Sequence, residues 1–209
     1  IYASPLWDHG GRPTGNIAVL VDMTERRKVE DALRESEREK TILNRIANIF
    51  LTVPDEAMYG QVLGVVLEEM RSTFGIFGYL DENGDLVIPS MTRHVWDQCQ
   101  VPDKSIVFPV DSWGQSLWGR AIREKTTFVS HGPFRVPEGH VAIDSFLTVP
   151  ILYKDETIGL LSVANKAGGY SDKDRELLER IVKEISPVLN ARLQRDLQER
   201  RRIAAEADL

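Results

Sequence analysis

Residues 145–165 read Ser145-Phe146-Leu147-Thr148-Val149-Pro150-Ile151-Leu152-Tyr153-Lys154-Asp155-Glu156-Thr157-Ile158-Gly159-Leu160-Leu161-Ser162-Val163-Ala164-Asn165. Residues 145–153 and 157–165 are apolar runs rich in strand-forming side chains, and the pattern predicts two adjacent strands turning at Asp155-Glu156. Downstream, Ser171 is placed to cap a helix with Asp174 at its third position. Leu177, Leu178, Ile181, Val182, Ile185, Leu189 and Leu193 recur along that helix. Upstream lies a long loop with His131, Pro133, Pro137, Gly139 and His140, of a length that is often functional inside a compact domain. Before it the sequence predicts a strand at 126–129 and a helix opened by the capping-box pattern Ser112-x-x-Gln115. Trp113, Leu117, Trp118, Ala121 and Ile122 would share one face of that helix. Strands are expected at 105–110, 85–91 and 74–80, the last two around the hairpin signal Asn83-Gly84. Pro54 suits a first helical position, and Met58, Val62, Val65, Val66 and Met70 continue that helix to about residue 73. The order of elements predicts an α+β domain, a central antiparallel β-sheet flanked by helices.

The chain has 209 residues, enough for one sizeable domain with extensions, and its 42% hydrophobic content is ordinary for a folded protein. A net charge of −6 argues against nucleic acid as a partner. No apolar run reaches the roughly 18 residues of a membrane span, and no signal-peptide pattern is present. No membrane span is therefore expected in this stretch, and a cytoplasmic setting is the default. Cys99 is the sole cysteine, which excludes an intrachain disulfide and argues against a cysteine-rich zinc site. There is no His-Glu-x-x-His, phosphate-binding loop or serine nucleophile elbow. None of His9, His94, His131 and His140 sits where a kinase phosphoacceptor would, and no glycine-rich ATP lid follows. The residues present are expected to be non-catalytic.

At the N-terminus, residues 1–8 and 16–22 read as two strands around the turn-rich segment His9-Gly10-Gly11-Arg12-Pro13-Thr14-Gly15. Two strands alone are marginal in water, so this hairpin is expected to close a domain lying upstream. Thr24 can cap the helix that follows, with Glu25 at its positive end. Val29, Leu33, Ser36, Lys40, Leu43, Ala47 and Phe50 then form a heptad seam with two polar interruptions. One reading is a parallel dimeric coiled coil over residues 25–40. The other is a single amphipathic helix packed on its own domain.

Three stretches carry a resemblance to the GAF domain, a ligand-binding and regulatory fold of sensor kinases and phosphodiesterases. They are Gly114 to Val129 with Trp118-Gly119-Arg120-Ala121, the strand Ser145-x-Leu147-x-Val149-Pro150, and Ile158 to Lys166 with the closing helix from Ser171. The resemblance covers residues 41–193. Arg93-His94-Val95-Trp96-Asp97-Gln98-Cys99 resembles a variant found in archaeal and bacterial sensor histidine kinases. The N-terminal hairpin with Asp22-Met23-Thr24 resembles the closing hairpin and exit motif of a PAS domain. Together these imply a PAS hairpin (1–24), a signalling helix (25–40), a GAF domain (41–193) and an exit helix (194–209). The parent would be a two-component sensor histidine kinase, with neighbouring PAS and kinase domains as partners.

What the resemblance implies for sites is less uniform. Asn165-Lys166, Tyr170 and Asp174 resemble the Asn-Lys…Phe…Asp-Glu signature of cyclic-nucleotide GAF domains, with Tyr170 for Phe and Arg175 for Glu. The physical expectation is a tether, Lys166 to Asp174, rather than a nucleotide site. A lone cysteine such as Cys99 is usually a small buried hydrophobe. The alternative is a haem- or tetrapyrrole-binding redox or gas sensor through Cys99, with His140 or His131 as a second ligand, since haem-linked GAF sensors resemble this chain. Trp96, Trp113, Trp118, Phe128, Phe134 and Phe146 are core aromatics or stacking groups for a small ligand. The expected ligand pocket is lined by Trp96, Cys99, Phe128, His140, Phe146 and Thr148. Reduction of free methionine sulfoxide, known on this fold, needs a nucleophilic cysteine with resolving partners, which a single cysteine cannot supply.

A homodimer is expected. Val29 and Leu33 would pair in the coiled coil. Leu43, Ala47 and Phe50 would meet Ile185, Leu189 and Leu193 in a bundle around a two-fold axis. Two functional readings stand: a ligand-gated sensor, and a passive dimerisation and relay module whose pocket is filled by side chains.

Overall fold

A computed structural model describes residues 2–19, 22–91, 100 and 105–207. The chain divides into two compact units, Ile1–Lys40 and Thr41–Leu209. In the first, β1 (Tyr2–Trp7) and β2 (Pro13–Val19) pair antiparallel. The turn between them is organised by Asp8, whose carboxylate accepts from the Gly10 and Arg12 amides at 2.8 Å each. Helix α1 (Thr24–Thr52) follows. Its side-chain cap is Asp22 rather than Thr24: Asp22 Oδ1 accepts from the Thr24 amide at 2.9 Å. The Asp22 carboxylate, two residues back, reaches the first free amide while Thr24 is already helical. Hydrogen bonds from Thr24 hold the Asp22 carboxyl below its ordinary range. Val29 and Leu33 are exposed on this helix, at 66% and 58%.

The second unit holds the sheet. Helix α2 (Asp55–Met70) precedes β3 (Ser72–Leu80), β4 (Leu86–Met91) and the two-residue β5 (Val107–Phe108). Helix α3 (Leu117–Glu124), β6 (Phe128–His131), β7 (Ser145–Tyr153), β8 (Glu156–Lys166) and helix α4 (Asp172–Ala207) complete it. The strands order β5-β4-β3-β8-β7-β6, and every neighbouring pair is antiparallel. No helix among the described residues is long and apolar enough to cross a membrane.

Several boundaries differ from expectation: the strand expected at 105–110 is only Val107–Phe108, the helix expected to about residue 73 ends at Met70, and three further shifts have a local cause. The β7–β8 turn falls on Lys154-Asp155, both left-handed with φ of 48° and 64°, one residue before Asp155-Glu156. That pair of positive φ values suits the twist of a two-residue hairpin. Ser112 does not open α3. It ends a short 3-10 turn and donates to the Pro109 carbonyl at 2.6 Å. A left-handed Gly114 then reverses the chain, and Ser116 caps α3 by accepting from the Gly119 amide at 3.1 Å. Strand β6 lies two residues later than residues 126–129, because Thr126 is used to close α3 through the Ala121 carbonyl.

Side-chain alternation gives the sheet two different faces. Phe77, Leu147, Val149, Ile151, Leu161 and Val163 pack with α1, α2 and α4 into the main core. The opposite, outer face carries a smaller core of Leu86, Ile88 and Leu160 beneath Trp113, Ala121 and Ile122. Within the main core, α1 turns Ile42, Ile46 and Phe50 inward, so the seam runs one residue off Leu43 and Ala47. Phe50, Ile185 and Leu189 are 4%, 1% and 0% exposed inside one chain. Their side chains are used within the core of the chain itself. Leu43 and Leu193 are half-buried against the same core, and Ala47 is exposed.

Arg192 of α4 locks this arrangement. Its guanidinium donates to the Phe50 carbonyl and, at 3.1 Å, to the Val53 carbonyl, and lies over the Phe50 ring at 5.6 Å. It thus satisfies free acceptors at the C-terminus of α1, where a positive charge is favoured. Replacing it with Met keeps the stem and removes the fork. Arg192→Met is expected to lower unfolding stability by about 1–3 kcal/mol, as for other bonds to charged groups. Urea denaturation of the two proteins measures it; equal midpoints would show that the contact contributes nothing.

Candidate functional site

The outer face of β6, β7 and β8 gathers the chemistry. Register places Phe128 opposite Thr148, and Thr148 opposite Ser162. Phe146 lies two residues before Thr148 on that face and opposite Ala164. Thr148 and Ser162 are each 0% exposed, and their hydroxyl oxygens are 2.7 Å apart. Around them the face is apolar, with Ile76 opposite Ser162 on β3. Phe134, from the 132–144 loop, meets Phe146 edge-on at 6.3 Å. Arg120 of α3 stacks over Phe128 at 4.5 Å and is paired with Glu124 at 2.8 Å. Trp113 and Trp118 meet edge-on at 5.7 Å and belong to the smaller core, with the Trp113 indole donating to the Phe108 carbonyl.

The 132–144 loop is held at its base by Asn165, which departs from β8 with φ of 60°. Its amide group accepts from the Asp144 N–H at 2.8 Å and donates to the Ala142 carbonyl at 2.8 Å. The side chain therefore serves one backbone donor and one backbone acceptor here, while the Gly132 amide donates to the Asp144 carbonyl at 2.7 Å. Further along, the Gly139 carbonyl accepts from the Gln100 amide at 2.8 Å. Gly139 has φ of 81° and sits so close to the Gln100 backbone that a Cβ would lie 3.0 Å from it.

Beside Asn165 is the expected tether. Lys166 Nζ lies 2.5 Å from Asp174 Oδ1, and both side chains are largely buried. The other Asp174 oxygen accepts from the Ser171 amide and hydroxyl at 2.8 and 2.7 Å. Ser171 in turn accepts from the Asp174 amide, closing a reciprocal cap. Burial pushes the Asp174 carboxyl up, but the bonds from Lys166 and Ser171 outweigh it and hold the group below its ordinary range. Tyr170 shares a 2.7 Å hydrogen bond with Ser72, and burial, partly offset by that bond, raises its phenol to about 12. This constellation ties β8, α4 and β3 together.

Of the six pocket residues expected from sequence, Phe128, Phe146 and Thr148 share the outer face. Trp96 and Cys99 lie outside the described residues. His140 is exposed on the loop, with Nδ1 2.8 Å from the Val141 carbonyl. His131 ends β6, its ring pressed against Gly169 so closely that a Cβ there would overlap it. The described residues assemble no axial pair for a haem iron, and no group of three or more His, Cys, Asp or Glu among them could hold a metal ion. Ser162 was missed in the sequence reading. The signal was available: it is the one hydroxyl within the apolar run 158–164, in phase with Leu160 and Ala164.

Residues 54–190 match the family model of the GAF domain. The chain belongs to the GAF family. A methyl sulfide methyltransferase-associated sensor of Methanosarcina acetivorans is 26% identical over 183 residues, which are 80% of this chain. The chain spans 17% of that relative's length. Among solved structures, the GAF domain of a phosphoenolpyruvate-protein phosphotransferase from Coxiella burnetii superposes with a TM-score of 0.60 at 14% identity, covering 76% of this chain and 96% of that one. Free methionine-R-sulfoxide reductase from Neisseria meningitidis, solved with its substrate, gives 0.54 at 20% identity, covering 75% and 90%. At such identities what is shared is the fold, which is found in a domain of a phosphotransferase and in a reductase.

Two measurements test the clamps that frame this GAF face. Asp174 has a folded pKa below its unfolded value of about 3.9, so its contribution is full above that value and is lost as pH falls through the folded one. Asp174→Asn should cost about 1–3 kcal/mol at neutral pH, and the gap to wild type should narrow at an acid pH below the unfolded value. Urea midpoints at both pH values show whether it does. Asn165→Gly keeps the left-handed backbone but removes both loop bonds, and amide exchange at residues 142–144 should rise on the order of tenfold. Unchanged exchange would mean the loop is held from elsewhere.

Proposed function

We propose that this chain is a non-catalytic regulatory GAF module, part of a larger signal-transduction protein, that binds a small molecule on the outer sheet face and passes its state to the helices. One observation carries the reading: β7 and β8 belong to both faces. Thr148 and Ser162 point outward, while Leu147, Val149, Leu161 and Val163 pack against the helices from the same two strands. Ser186 of α4 also donates to the Leu152 carbonyl at 2.5 Å, coupling that helix to β7. A ligand that shifts these strands outward must shift the packing of α1 and α4 inward. Biasing two such packings needs only a few kcal/mol.

The wider context belongs to the proposal. The relative from Methanosarcina acetivorans is named as a sensor, and the Tyr2–Val19 hairpin with Asp22 leading into α1 fits a PAS exit. A two-component kinase is the output we favour. Sulfoxide reduction is disfavoured because one cysteine offers no intrachain resolving thiol. The module would act as a homodimer through the exposed Val29 and Leu33 of α1, since Phe50, Ile185 and Leu189 are spent on the core.

Two experiments address this. Thermal melts of the purified chain with haem, bilins and nucleotides should include at least one that stabilises it; a chain that ignores them all fits the passive relay better. Leu33→Glu should convert a dimer to a monomer by light scattering, with the melting temperature of the sheet unit unchanged. A wild type that is monomeric at high concentration would end the dimeric-relay reading.

A further inference from the structure

Helix α4 changes character along its length. Leu178, Ile181, Val182, Ile185 and Leu189 are buried in the main core. Residues 198–207, the last turns of the same helix, are all exposed. Pro187 stands inside the helix, between Ile185 and Leu189. Proline has no N–H, so the bond that would reach the Lys183 carbonyl four residues back is missing. Pro187 and Lys183 both lie on the exposed side of α4. A tie missing on the solvent side lets a helix curve around its own domain, and proline is a usual cause of such bends.

Beyond the core, the exit segment still touches the sheet unit. Arg201 donates to Glu82 at 3.2 Å, across 119 residues of sequence, with side chains 71% and 57% exposed. Its neighbour Arg202 is spent within the helix, on Glu199 and Glu206 at 2.6 Å each. Glu82 sits at the tip of the β3–β4 hairpin, which Asp81 stiffens by accepting from the Asn83 and Asp85 amides at 2.9 Å each. Asp85 in turn accepts from the Val110 amide at 2.9 Å. The short 3-10 turn begun by Val110 leads into Trp113, which is part of the smaller core. The outer layer thus reaches the exit helix through polar contacts that bypass the main core. An ion pair so exposed shifts an equilibrium by no more than about fivefold. That is too little to hold the fold together and enough to bias where a jointed helix rests.

We propose that α4 is a jointed output arm: Pro187 is the joint, and the Arg201–Glu82 pair is a releasable latch that holds the exit half against the β3–β4 hairpin. This deepens the regulatory reading above, on which its role as an output rests. Movement of the outer layer pulls on Asp85 through Val110, displaces the hairpin tip and frees Arg201.

The test is amide hydrogen exchange at residues 198–206 of the full chain, with no ligand added. Exchange there should rise about two- to fivefold in Glu82→Gln and in Arg201→Gln. The two changes together should do no more than either alone. The charge exchange Glu82→Arg with Arg201→Glu should restore wild-type protection. Raised salt should bring wild type to the Glu82→Gln level and leave that variant unmoved. Pro187→Ala returns the missing backbone bond, yet should loosen the exit segment by the same factor, because a straightened helix carries Arg201 away from Glu82. Asp85→Ala should loosen it too, by cutting the tip from Val110. Effects that add, or a charge exchange that fails to restore protection, would overturn the latch. Exit exchange that is unchanged or slower in Pro187→Ala would overturn the joint, and no change in Asp85→Ala would remove the outer layer from the route. None of these outcomes touches the ligand reading, whereas a chain that shows the coupling but ignores every ligand in the thermal melts keeps the latch and loses its regulation.

Discussion

The rest of this fold depends on the period-two alternation of the β7–β8 hairpin. Each residue step sends a side chain to the opposite face, so the same two strands must build two layers at once. Leu147, Val149, Leu161 and Val163 commit one face to the helices. Phe146, Thr148, Leu160, Ser162 and Ala164 are thereby committed to the other. A one-residue slip would put the Thr148 and Ser162 hydroxyls into the apolar helical core and its leucines and valines out of it, so the register is pinned by the side-chain pattern. The left-handed Lys154-Asp155 turn enforces the same register from the end of the hairpin.

Around that hairpin the fold is closed by a few polar clamps, each answering a specific vacancy in backbone hydrogen bonding. Asn165 serves the Asp144 amide and the Ala142 carbonyl before β7, Asp174 serves the Ser171 amide that precedes α4, and Arg192 serves the Phe50 and Val53 carbonyls at the end of α1. Asn165 and Asp174 converge, with Lys166, at the exit of β8. The Asn-Lys…Asp pattern of that exit is thus accounted for by architecture, without any need for a nucleotide.

Much of this was legible in one dimension. The strands, the order of elements and the Lys166–Asp174 tether follow from local pattern: apolar runs between turn residues, and a cap three residues from its partner. The GAF resemblance was legible for the same reason, since it lives in short contiguous stretches. Illegible features were those decided by competition between neighbours. Ser112 and Ser116 both suit a helix cap, and only the reversal at Gly114 selects Ser116. Thr24 and Asp22 compete for one amide in the same way. On α1, the 43-47-50 and 42-46-50 seams both repeat at helical spacing, and a heptad alone cannot say which faces the domain.

The amino-acid sequence by itself determined the fold class, the family and the identity of the central hairpin, because those rest on periodicities and motifs within a few residues of each other. Tertiary structure alone decided which helix face is core, and so which apolar residues remain for a partner: Phe50, Ile185 and Leu189 are used up, Val29 and Leu33 are not. It alone brought Ser162 to Thr148 across the hairpin, turning two ordinary hydroxyls into a buried hydrogen-bonded pair. Contacts between residues distant in sequence are set by how whole surfaces exclude water together, and no local pattern encodes that outcome.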